Sequence, residues 1–145
     1  MTFQLVEPIL LIGLGGVGAR LAEKAKKSLN SDCLLISHDQ KDLTIENSIK
    51  ISTKSVVNPS THLIRGSTLE TSDEIKKNIA NYSTVILMSN LAGKAGTGIG
   101  PIVSRICKQE QKNLLSFVVM PFKFEKERIF QSGIALKRIR QDSQC

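Results

Sequence analysis

Residues 9–29 read ILLIGLGGVGARLAEKAKKSL. A continuous apolar run, Ile9 to Ile12, enters the glycine cluster Ile12-Gly-Leu-Gly-Gly-Val-Gly18. Val17, Leu21, Ala25 and Leu29 then recur every fourth position, with Glu23, Lys24 and Lys27 on the opposite side. A short unbroken apolar run is the pattern of a strand buried on both faces, and a four-residue apolar period is that of an amphipathic helix. The glycines between them let the backbone turn with positive φ and approach a ligand with no Cβ in the way. The N–H groups of the helix start then face an anion.

The same grammar returns downstream. Apolar runs at Cys33 to Ile36, Val85 to Met88 and Leu114 to Val119 predict further buried strands. After the third run comes a second glycine cluster, Ala92-Gly-Lys-Ala-Gly-Thr-Gly-Ile-Gly100. Ile99, Ile102, Val103, Ile106 and Cys107 follow at helical spacing, with Pro101 expected in the first turn, where its missing N–H is harmless. A Thr71-x-x-Glu74 capping box predicts another helix, with Ile75, Ile79 and Tyr82 on one face. The polar stretch from Asp42 to Ser67 reads as a long connection carrying one short edge strand. Alternating strands and helices give an α/β fold, a Rossmann-like parallel sheet with helices on both faces and ligands at the carboxyl ends of the strands.

Composition narrows the class. The 145 residues suit one domain. With 41% hydrophobic residues but only 4% aromatic and no Trp, the core must be aliphatic, which favours parallel strands under helices over an aromatic-rich sandwich. The formal charge of +7 suits anionic partners. Single-stranded nucleic acid is not among them, because the basic residues are not interleaved with aromatics. Cys33, Cys107 and Cys145 are widely spaced and read as reduced cytosolic thiols, with no metal motif. The apolar start lacks a basic leader and breaks at glycines, so it predicts neither a signal peptide nor a membrane span.

The second cluster is not a Walker loop. Counted through GxxxxGK[ST], Met88 takes the first glycine position and Ala95 the hydroxyl position. The first cluster has a better imitator. Gly13, Gly15 and Gly18 form a G-x-G-x-x-G, with Asp39 about 20 residues on, where a dinucleotide-binding fold carries its ribose acid. A nicotinamide- or adenylate-binding enzyme therefore stays open on the first forty residues.

The collinear set Gly13-Leu-Gly-Gly-Val-Gly18, Ser37-His-Asp-Gln40, Lys94-Ala-Gly-Thr-Gly-Ile-Gly100, Pro121-Phe-Lys-Phe-Glu125 and Gly133-Ile-Ala-Leu136 resembles the amino-terminal half of FtsZ and tubulin-like GTPases. The resemblance implies a guanine-nucleotide-binding domain that supplies the phosphate side of a site completed between filament subunits. Gly15, Gly16, Val17, Gly18, Ala19 and Arg20 would form the first phosphate loop, with Arg20 where bacterial relatives carry Asn. Asp39 and Gln40 would lie near the phosphates. Lys94, Ala95, Gly96, Thr97 and Gly98 would wrap the terminal phosphates, Glu125 would meet the ribose, and Arg128 would contact the nucleotide. The implied ligand is GTP or GDP, with Mg as its companion ion.

The sequence departs from the family pattern at Lys94 and Ala95, which replace glycines, and at Ile99, which replaces Thr or Ser. A separate glycine-rich loop survives as a relic around Arg65 to Thr68. Within the 145 residues the family's central helix, catalytic loop and carboxyl-terminal domain are absent, so the resemblance predicts a partial domain with weak nucleotide binding and poor hydrolysis. No catalytic residue is expected in it. Self-association into filaments would belong to a full-length protein, in the cytoplasm, with any membrane attachment indirect. A non-hydrolysing tubulin-like scaffold is the other reading that the substitutions at 94, 95 and 99 invite. His38 and His62 are expected to be structural or solvent-exposed, and Lys137, Arg138 and Arg140 to be solvated surface.

Overall fold

A computed structural model describes residues 5–54, 56–121 and 126–145, with only the backbone of residues 126–128. The apolar runs become β1 (Ile9–Leu14), β2 (Asp32–Ser37), β4 (Thr84–Asn90) and β5 (Asn113–Val119), and the expected edge strand is β3 (Ser48–Lys50). All strand pairs are parallel, in the order β3-β2-β1-β4-β5. This is the order of a doubly wound sheet, and it puts β1 and β4 side by side at the centre, where ligands bind outside the carboxyl ends. Their register pairs Leu14 with Ser89, so the two strands finish level.

Strand alternation divides the core between the two sheet faces. Leu11, Cys33, Leu35 and Ile86 pack under Ala19 and Ala22 of α1 (Gly15–Leu29). On the other face Leu10, Ile12, Leu34, Ile36, Val85, Leu87 and Leu114 meet Ile64 of α2 (Thr61–Glu70), Ile75 and Ile79 of α3 (Ser72–Ile79), and Ile99 and Val103 of α4 (Lys94–Gln109). Helices thus cover both faces, as the sequence predicts. Each large aliphatic side chain buried this way stabilises the fold by about 1.5–3 kcal/mol. The last helix, α5 (Lys126–Asp142), packs Ala135 and Ile139 beside Leu91, and Gln144 then donates from its N–H to the Leu114 carbonyl at 2.9 Å.

Four expectations change. The connection from Asp42 to Ser67 contains α2, whose start at Thr61 is capped by Ser60 accepting from the Leu63 N–H at 3.1 Å. Thr71 does stand before α3 but does not cap it. The residue has left the extended conformation that a capping side chain needs, because it also ends α2, and its hydroxyl donates to the Ser67 carbonyl at 2.9 Å. Tyr82, expected on that helix, lies beyond its end at Ile79 and still packs against the core. Pro101 sits in the interior of α4 rather than its first turn, because the helix begins seven residues earlier at Lys94. It leaves the Thr97 carbonyl without its usual helical donor.

Candidate functional site

Both glycine clusters are mostly helix rather than loop. Gly15 to Gly18 are the first turn of α1, and Lys94 to Gly100 the first two turns of α4. The physical need for glycine is therefore close packing as much as turning. A Cβ on Gly13 would meet the Gly18 carbonyl oxygen at 2.5 Å and the Ala22 Cβ at 2.8 Å, and one on Gly18 would run into the Met88 carbonyl. One on Gly96 would strike the Asn90 carbonyl and the Ser89 Oγ, and one on Gly98 would stand 2.9 Å from Ile64 of α2. These contacts let both helices start directly over the ends of β1 and β4. At Gly15, with φ +68°, the backbone itself requires glycine.

The two helix starts touch. A Cβ on Gly15 would lie 2.9 Å from the Ala95 Cβ. Neither helix has a side-chain cap, from Leu14 or from Gly93, and neither has an acid in its first turn. The N–H groups of Lys94, Ala95 and Gly96 precede the first helical hydrogen bond, from the Thr97 N–H to the Gly93 carbonyl at 3.2 Å. Two positive dipole ends, with no acid in either first turn, lie at one sheet edge, and such ends favour an anion.

A cleft of about 340 Å³ opens at this edge, lined by Asn90, Leu91, Ala92, Gly93, Lys94, Thr97 and Gln131. Asn90 shapes its floor through a local turn, its Oδ1 accepting from the Ala92 N–H at 3.0 Å and its carbonyl from the Gly93 N–H at 3.2 Å. Lys94 lines the cleft and is anchored outside it. Its Nζ donates to the Asn58 Oδ1 at 2.6 Å and to the Pro59 carbonyl at 3.1 Å, tying α4 to the connection before α2. The Thr97 hydroxyl, expected to bind phosphate, donates to the helix's own Gly93 and Lys94 carbonyls at 3.0 and 3.3 Å, and Thr97 is 5% exposed.

The remaining expected residues are placed as follows. Gly16 and Val17 are half-buried in the first turn of α1, while Ala19 and Ala95 are buried. Arg20 lies on the exposed side of α1 and shares a groove with Glu23, Lys24 and Lys27 rather than the cleft by Asn90. Asp39 and Gln40 are exposed at the end of β2. Asp39 accepts from the Lys41 N–H at 3.0 Å and so opens the short 3-10 turn Gln40–Asp42. Asp42, which the sequence reading passed over, lies closer to the helix start. Its Oδ1 is 2.9 Å from where a Gly16 Cβ would be, and its Oδ2 accepts from the Ser37 hydroxyl at 2.7 Å. His38, at the same edge, is half-buried with its Nδ1 unpartnered among the described residues. Glu125 falls outside the described residues, as does the side chain of Arg128. Of Pro121 to Glu125 only Pro121 is described.

The first-turn amides of α4 and the glycine cradle, which a Cβ would fill, fit a phosphate group, while the cleft itself is lined from the end of β4, the start of α4 and Gln131 of α5 and by no residue of α1. Among the described residues no cluster of three or more His, Cys, Asp or Glu could hold a metal ion. No helix among them is long and apolar enough to cross a membrane.

Comparison with known proteins agrees with this fold. The chain is 25% identical to cell division protein FtsZ 2 of Halobacterium salinarum, across 92% of this chain and 36% of that protein. Its fold superposes on an empty FtsZ dimer from M. jannaschii with a TM-score of 0.82, at 25% identity over 93% of this chain and 42% of that one. It also superposes on CetZ from Methanosaeta thermophila with a TM-score of 0.74, where 16% identity supports the fold alone. The chain thus spans well under half the length of these relatives. Residues 8–145 match the Tubulin/FtsZ family, GTPase domain, and the chain belongs to that family.

Proposed function

We propose that the chain binds a guanine nucleotide through its phosphates and forms the phosphate-binding side of a GTP site in a cell-division or cytoskeletal filament, the base and the neighbouring subunit completing that site. One observation carries the reading. Two uncapped helix starts, neither with an acid in its own first turn, meet at Gly15 and Ala95 above adjacent parallel strands. Backbone amides there would hold the α- and β-phosphates from α1 and the terminal phosphate from α4, with Lys94 as a point charge. Glu125 and Arg128 would reach the ribose and the nucleotide, as the family pattern implies. Family membership favours a guanine nucleotide over the dinucleotide reading of Gly13, Gly15 and Gly18.

Nucleotide binding is the activity this reading expects of these 145 residues. A cytoplasmic location follows from this role. Equilibrium binding of GTP, GDP, GMP, ATP and NAD⁺ to the purified chain tests the reading. GTP and GDP should bind, with GMP about tenfold weaker because it keeps only the α-phosphate of those the helix starts receive. Binding of NAD⁺ with none of GDP would select the dinucleotide alternative, and fast GTP turnover by the chain alone would refute the partial-site account.

A further inference from the structure

The family resemblance sets Lys94 at a glycine position, and the structure gives its ammonium two resting acceptors, the Asn58 Oδ1 at 2.6 Å and the Pro59 carbonyl at 3.1 Å, while the residue lines the cleft. Asn58 lies in the left-handed region, with φ 52°, and Pro59 is buried directly before Ser60, the cap of α2. We propose that Lys94 is an exchangeable counter-charge. It rests on Asn58 and Pro59 when the cleft holds no anion, and it transfers to the terminal phosphate of a bound nucleotide, releasing the 58–60 connection.

The inference rests on the nucleotide reading and adds a residue-level device to it. An ammonium has three donors on a flexible stem, so it can leave two neutral oxygens for a charged one without moving the backbone of α4. A charge-assisted bond to phosphate is stronger than the neutral-acceptor contacts it replaces. Two consequences follow. Phosphate affinity in this chain depends less on a divalent cation than it would with glycine at 94, because part of the compensating charge is built in. The connection ahead of α2 also reports occupancy of the cleft, since its tether to α4 and the bound phosphate share one cation.

The test uses the whole 145-residue chain and its Lys94→Gln and Asn58→Gly variants, with GDP and inorganic pyrophosphate as probes in EDTA. Asn58→Gly keeps the positive φ and removes only the competing amide. Lys94→Gln should weaken both probes about tenfold, and Asn58→Gly should tighten them about twofold. In the unmodified chain GDP should shift the backbone amide resonances of Asn58 and Ser60, and in Lys94→Gln it should not. Unchanged or tighter binding by Lys94→Gln would overturn the inference, as would unmoved Asn58 and Ser60 resonances in a chain that binds GDP. Failure of the unmodified chain to bind either probe would overturn the nucleotide reading and this inference with it.

Discussion

Gly15 and Ala95 bring the two halves of the site together. Gly15 opens α1 with a φ of +68°, and a methyl placed on it would lie 2.9 Å from the Ala95 side chain at the start of α4. A side chain at position 15 would therefore pay for backbone strain and also separate the two helix starts. Gly15→Ala is expected to destabilise the fold by about 1–3 kcal/mol and to weaken phosphate binding further than the loss of stability explains. Denaturant unfolding alongside pyrophosphate titration separates the two effects.

The glycines of the helices fall into two groups, and alanine substitution should distinguish them. Gly96 has the Asn90 backbone and the Ser89 hydroxyl where a Cβ would go, neither of which can swing aside freely. Gly133, exposed in α5, has nothing within 4 Å. Gly96→Ala should cost about 1–3 kcal/mol, whereas Gly133→Ala should gain about 0.5–1 kcal/mol by restricting the unfolded chain. Opposite shifts in the midpoint of thermal or urea unfolding would verify this pair.

Much of this arrangement was readable from the residues. The four main strands, the helix after the first glycine cluster and the parallel architecture follow from apolar runs and four-residue periods, which tertiary packing does not override here. The helix α2 was hidden because Thr61–Glu70 carries one deeply buried aliphatic, Ile64, among polar residues and Gly66, so no stripe marks it. Pro59-Ser60 was the available signal, a proline followed by a capping serine. The start of α4 was placed late because three glycines and a proline obscure helical propensity, although each glycine there answers a specific close contact. Asp42 could not be singled out from Asp39, since which carboxylate faces Gly16 depends on the short 3-10 turn between them. The Lys94 tether to Asn58 spans 36 residues, and no local pattern reveals it.

Tyr82 is the chain's single tyrosine, and there is no Trp, so ultraviolet titration reads it alone. Its phenol donates to the Asp32 carboxylate at 2.6 Å, and that bond, with some burial, pushes its pKa up to about 12. The folded state therefore holds the proton more tightly than the unfolded one. The stability so contributed is complete below pH 10 and is lost as pH rises toward 12. Asp32→Asn should return the absorbance midpoint toward 10, while a midpoint near 10 in the unmodified chain would refute the contact.

The thiols should differ sharply in reactivity. Cys107 is buried, and desolvation pushes its pKa up to about 12; burial also raises that of Cys33. Cys145 is exposed. A disulfide reagent at pH 8 should modify one thiol quickly in the native protein and all three after denaturation. Fast modification of Cys107 would mean that α4 does not pack on the sheet as described.

The central claim is that α1 and α4 jointly receive the phosphates of one guanine nucleotide. Titrating isotope-labelled chain with GDP while following backbone amide resonances tests it most directly. The account predicts saturable shifts that share one affinity at Gly15, Gly16 and Val17 of α1 and at Lys94, Ala95 and Gly96 of α4, reproduced more weakly by pyrophosphate. Shifts confined to one helix, or appearing with NAD⁺ and not with GDP, would contradict it.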